Sequence, residues 1–404
     1  MKEFTEHKSR QTREEKELLN QRLVDQVNNY GKTAVGEKRN KPPENPKLEG
    51  DSLREKLAKL GEHIQNPGEA HRFKTYMEQF ENRCAAVQLS SAERLETYKQ
   101  VDRLMSSKEG KVRPFGRICL SSDILRFSAN PHECDQGEHT TCQVTTIGER
   151  LLAKQPSKAA KIIADSALTG HFSIDGKTIK VDDKSLKPGE EERCRLPEEG
   201  YRSYGIQVLN LALANDILQR RWTPEFFGQY PVVKGYGGEH VIKNGQDEHK
   251  PPLLHPGDIA ALNKRLFGDS HVVLVNPANE MPGDKVHPNR SDLANIGSPE
   301  GLRKVLEDAK VLQKFPLVLA VDGYDPLLYK AGANRPERGS IGHVILITDY
   351  KNGRAEINNP QTMPDTPKLQ SVDLNALFET TIPKKSRRAL VKYEQQLLKS
   401  TNEQ

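Results

Sequence analysis

Apolar residues recur at helical spacing along much of the chain. In "SSAERLETYKQVDRLM", Leu95, Tyr98, Val101 and Leu104 share one face, and Ser90 with Glu93 reads as a capping box at the start. Residues 51–107 therefore predict a small helical unit. Val144, Ile147, Leu151 and Leu152 predict a helix over 142–154, "PSKAAKIIADSAL" continues helical, and Ile206, Leu209, Leu213 and Ile217 predict another over 203–221. Strand patterns fall between and after these. "HFSIDGKTIKV" reads as a hairpin about Asp175-Gly176. "HVVLVN" (271–276), "FPLVLAVDG" (315–323), "HVILITDY" (343–350) and "RAEINNP" (354–360) read as strands, the last two joined through Lys351-Asn352-Gly353. Ser298 and Pro299 mark the start of an intervening helix.

At 404 residues the chain is long for a single average domain. Residues 1–50 are rich in charge and end in the linker-like "GEKRNKPPENPKLEG"; they predict a disordered tail with at most a transient helix at 12–28. The organisation expected is a tail at 1–50, a helical region at 51–110, a main domain at 111–382 and a basic tail at 383–404. A pro-segment is the sharper reading of 1–110. The Gly-rich "GYGGEH" lacks a preceding buried strand and a following GK[ST], so it is weak as a phosphate loop. A net charge of +5, spread over 61 basic and 56 acidic residues, gives a mixed surface that argues against a nucleic-acid partner. No run approaches the length of a membrane span, and no apolar leader is visible. Five cysteines at irregular spacing argue against a disulfide framework and suit a reducing compartment. The protein is expected in the cytoplasm, or exported without a conventional signal peptide.

The chemistry gathers at two places. Thr140 or Thr141 can cap the helix that opens at Cys142, and the free N–H groups of its first turn favour a thiolate. Gln136, six residues earlier and followed by Gly137, can turn its amide toward the Cys142 backbone N–H, so the two groups would bind an oxyanion. His343 heads the apolar run "VILIT" and is the candidate base. Its orienting partner is Asn358 or Asn359. A two-residue Asn352-Gly353 turn puts Asn358 on the His343 face; a three-residue loop puts Asn359 there. The rival reading is a zinc knot of His132, Cys134, His139 and Cys142, whose spacing is not a common one and which leaves Gln136, His343 and Asn359 without a role.

The order "QGEHTTC", a strand-leading His, then Asn resembles the papain-like cysteine peptidases. The run from "PLVLAVDG" to "GHVILITDY…INNP" is closer to the bacteriocin-leader-processing branch, in which the orienting residue precedes a proline. That resemblance covers roughly 115–365 and favours Asn359, which precedes Pro360. It departs at Gln143, where the family usually carries tryptophan. It implies an α+β, papain-like fold: a lobe led by the Cys142 helix, packed on a curved antiparallel sheet that carries His343 and Asn359. It also implies a thiol hydrolase acting on a peptide or protein substrate, with Cys142 as nucleophile, His343 as base, Asn359 as orienter and Gln136 as oxyanion donor. No metal or organic cofactor is called for. Two other functions fit the same residues: an inactive binding module, and a transglutaminase-like or deamidating acyl transfer. The oligomeric state is left open.

Overall fold

The computed structural model describes residues 46–383, except 138, 140, 184, 190–200, 222–241, 244–245, 248–253, 280–286, 324, 329–341 and 362–366. The expected helix at 12–28, the "GYGGEH" stretch, Cys194 and the basic residues from 384 onward lie outside the described residues. Helix α1 spans Pro46–Glu62, so the last residues of the expected tail are helical. It is followed by α2 (Pro67–Ala86), α3 (Ser91–Ser106) and α4 (Pro114–Ala129). The caps are local chemistry: Asn66 accepts from the Glu69 N–H, and Ser90 accepts from the Glu93 N–H. Leu95, Tyr98, Val101 and Leu104 are all buried, and Phe80 packs edge-on against Tyr98.

This helical region is not cored separately. One apolar cluster runs from Leu57 to Phe378. Arg83 of α2, itself buried, donates to the carbonyls of Ser128, Leu152 and Ala153. Those carbonyls close the C-terminal ends of α4 and of the helix that begins at Cys142, where a cation is favoured. Cys119, on α4, is disulfide-bonded, a bridge that the irregular cysteine spacing did not suggest, while Cys84, Cys134 and Cys142 are free thiols.

The helix α5 (Cys142–Lys154) is buried on every side, not along one face. Thr145 and Arg150 are polar yet buried, because each has partners. Thr145 bonds the Thr141 carbonyl and accepts from Asn210. Arg150 reaches Asn263, Asp269 and the carbonyls of Lys314 and Pro316, and lies 4.6 Å over the Phe267 ring. Around α5 stand α6 (Pro156–Thr169), α7 (Tyr204–Arg221) and α8 (Pro256–Phe267).

The strands form three groups. β1 (His171–Ile174) and β2 (Lys177–Lys180) make the expected hairpin; β3 (Ile242–Lys243) and β4 (Gln246–Asp247) make a very short one. The main sheet orders six strands as β10-β9-β8-β7-β5-β6. These are β5 (Val273–Val275), β6 (Leu293–Asn295), β7 (Leu317–Asp322), β8 (Gly342–Lys351), β9 (Arg354–Asn358) and β10 (Leu369–Asp373). The sheet is mixed, not antiparallel throughout: β5 runs parallel to both β6 and β7, because the chain returns to β7 through α9 (Pro299–Val311) as a crossover. β7 is buried along its whole length, as both-face cover requires. α5 and α8 touch one another and the sheet; α9 and α10 (Leu374–Thr380) do the same. The fold is α+β. Among the described residues no helix is long and apolar enough to cross a membrane.

Candidate active site

The β8–β9 hairpin decides which asparagine meets His343. Lys351 pairs with Arg354 and Tyr350 with Ala355, so the turn is the two-residue Asn352-Gly353 form and not the three-residue loop. Both turn residues have positive φ, 54° and 74°, as a type I′ turn demands. Continued without a break, that register would set Asn358 opposite Ile347, on the His343 face. The register breaks instead. Between Ile347 and Asp349 it shifts by one, so that Ile347 pairs with Ile357 and Leu346 with Asn358. Thr348 is the extra residue of a β-bulge, and a one-residue slip turns every later side chain to the opposite face. Asn359 therefore lies on the His343 side even though the turn has two residues.

His343 Nε2 lies 2.8 Å from Asn359 Oδ1. The Gln361 backbone N–H donates to the same oxygen at 3.1 Å. A backbone N–H can only donate, so that atom is the amide oxygen and the imidazole Nε2 is the donor. The neutral ring thus carries its proton on Nε2 and none on Nδ1. Asn358 points the other way: its Nδ2 donates to Glu149 Oε1 at 2.6 Å and to the His132 carbonyl at 3.3 Å.

Cys142 is the first residue of α5, preceded by Thr141, whose side chain makes no cap bond. The backbone N–H groups of Val344, Gln143 and its own residue lie close enough to the sulfur to favour its charged form, which sets it near the head of β8, where Val344 follows His343. Each of these N–H groups favours the thiolate, as expected of a helix start. Burial outweighs them and pushes the thiol up to about 11. The thiol also lies 3.2 Å from Gln143 Oε1, which can accept its proton. Burial likewise carries His343 down to about 4, against the pull of the Asn359 bond. At rest the thiol and the imidazole are therefore both neutral, not the preformed thiolate that the helix start suggested.

Gln136 is buried, with its backbone N–H on the Pro360 carbonyl at 2.8 Å. This ties the loop before Cys142 to the residue after Asn359. One side-chain N–H is committed to the His139 carbonyl at 2.8 Å, and Nε2 has a second to offer. Gly137 takes φ 62°, and its N–H is held by Asp135, which Lys368 approaches at 3.3 Å.

The zinc reading finds no counterpart. Among the described residues no group of three His, Cys, Asp or Glu side chains could hold a metal. Cys134 is fully buried and its thiol is driven well above the usual range by burial, while His132 is pushed down to about 3 by burial and by the charges of Lys368, Arg83 and Arg126.

The sequence did not single out Glu149, Arg150, Thr348, Val344 or Lys368. Two charged side chains beside the apolar face of Ile147, Leu151 and Leu152 were the available signal for Glu149 and Arg150. Comparison of the chain with models of known protein families, with characterised proteins and with solved structures returns no match.

Proposed function

We propose that the chain is a thiol hydrolase of papain-like type that cleaves peptide bonds in a peptide or protein substrate. One observation carries the reading. A cysteine at a helix start lies close to the backbone N–H of Val344, the residue after His343, while that histidine donates its Nε2–H to Asn359 and carries no proton on Nδ1. Cys142 Sγ attacks the scissile carbonyl carbon as its proton passes to His343 Nδ1, so thiolate and imidazolium form in the attack itself. The oxyanion takes the Cys142 backbone N–H and the second Gln136 Nε2–H. Collapse expels the amine with the imidazolium proton. Water, deprotonated by the same nitrogen, then hydrolyses the thioester and restores the thiol.

A second reading, a binding module that keeps the arrangement without turnover, is favoured by the Gln143 contact and by the burial that holds the thiol protonated. Incubating the full chain with a mixed peptide library separates the possibilities. New amine termini, absent with Cys142→Ala, are the expected result. Ammonia without new termini would indicate deamidation, and an inert mixture would indicate the module.

A further inference from the structure

Asn358 and Asn359 are adjacent and point to opposite sides. Asn359 serves His343. Asn358, fully buried, grips Glu149 at 2.6 Å. Glu149 stands seven residues after Cys142 on α5, two turns along, so both project from the same side of the helix. That side of α5 meets the hairpin twice: Cys142 Sγ lies near the Val344 N–H of β8, and two turns later the Glu149 carboxyl accepts from Asn358 of β9. Two other bonds hold the Asn359 region, from the Asn359 N–H to the Lys368 carbonyl and from the Gln136 N–H to the Pro360 carbonyl. Both run to loop residues. Asn358 alone among these anchors ties the segment to the helix that carries the nucleophile.

We infer that Glu149 is a positioning residue of the site: through Asn358 it fixes the Asn359 amide, and hence the His343 ring, relative to Cys142 on one rigid helix. The inference rests on the reading of Cys142, His343 and Asn359 as a working site. Catalytic geometry tolerates little play, and misplacement by about 1 Å can cost on the order of 100-fold. A buried carboxyl is also expensive unless paired, so a pair kept at this point of the core calls for a role.

The test uses the full chain labelled with 15N-histidine and compares wild type with three variants. The His343 ring signals are assigned by their loss in His343→Gln. Glu149→Gln keeps an acceptor for Asn358 and is expected to leave the Nε2–H tautomer unchanged. Glu149→Ala is expected to give a mixed or shifted tautomer and to slow iodoacetamide capture of Cys142 by about 10- to 100-fold. Because that variant can fail to fold, the deciding one replaces both partners, Glu149→Leu with Asn358→Leu. Exchanging both members of a buried polar pair for apolar groups of similar shape can be nearly neutral in stability. The folded double variant is expected to show the same tautomer change and the same slowing. If it folds and keeps the wild-type His343 signals and capture rate, Glu149 is only a packing residue and the inference falls. If wild-type Cys142 is captured no faster than an ordinary buried thiol, the site reading fails instead, while the ring signals still report on His343 placement.

Discussion

Two hairpins in this molecule close with the same turn and end in different places. β1–β2 turns at Asp175-Gly176 (φ 50° and 71°), and β8–β9 turns at Asn352-Gly353 (φ 54° and 74°). In the first, the register set by the turn runs unbroken from Ile174 opposite Lys177 to His171 opposite Lys180. In the second it is reset at Thr348, and only the reset brings Asn359 to His343. A turn therefore specifies its neighbouring pairs and no more. What lies several residues down the ladder depends on whether the strand keeps count.

The strongest way to break the comparison is to remove a residue past the reset. Deleting Ile357 is expected to swap the faces of Asn358 and Asn359 and to lose a fully buried side chain, whereas deleting Thr348 keeps Ile347 opposite Ile357 and leaves Asn359 on the His343 side. The cost of losing Ile357 is about 5 kcal/mol or more, read as loss of a cooperative thermal transition. Removing Thr178 from β2, where few buried side chains depend on register, is expected to cost much less.

Acid separates the two regions next. His132, beside the bulged hairpin's end, and His343 both have folded values below the unfolded value of about 6.5. Below 6.5 the unfolded chain binds protons that the folded one refuses. Their contribution to stability is thus fully present above about pH 6.5 and is lost as pH falls through about 4 for His343 and about 3 for His132. The full effect is about 3–5 kcal/mol for each group. Thermal midpoints measured from pH 7 to pH 3 should fall accordingly, and His132→Phe should flatten that fall if its cavity accepts the ring. An unchanged slope would show that His132 charges freely in the folded state.

The same logic explains how far the sequence could be read. Helices, turns and the residue types of the site were legible, because capping, periodicity and Asn-Gly chemistry are local. The pairing of His343 with an asparagine behind it was legible from spacing, and proline after Asn359 pointed to the right one. The route was not legible. β8 is buried on both faces from His343 to Ile347, so "HVILI" lacks the alternation that would betray a bulge. The parallel half of the sheet was missed because strands as short as Val273–Val275 carry no mark of their partner's direction. Glu149 and Arg150 were not singled out because their partners, Asn358, Asn263 and Asp269, lie more than a hundred residues away.

Smaller effects sharpen the comparison. On the proposed reading, Asn359→Ala should lower release of amine termini by about 10- to 100-fold, or about 1.4–2.7 kcal/mol of barrier, with the fold intact, since it removes the hydrogen bond that orients the His343 ring and leaves Cys142 in place. No change would detach Asn359 from the reaction. Asp175→Ala and Asn352→Ala should each cost about 1–2 kcal/mol for a left-handed residue, equally in both hairpins, and leave His343 undisturbed. A site effect from Asn352→Ala would mean that the turn, not the bulge, sets the register at the site.

The most direct measurement is the site of iodoacetamide alkylation in the folded full chain near pH 7, read by peptide mapping. Cys84 is pushed up to about 12 and Cys134 is fully buried, so both should remain unmodified. Cys142 is also buried and high, and only proton transfer to the His343 ring can make it reactive. The account predicts that Cys142 is modified first and that His343→Ala slows this by about 100-fold or more. Modification of Cys142 at the same rate without His343, or none at all in the wild type, would contradict it.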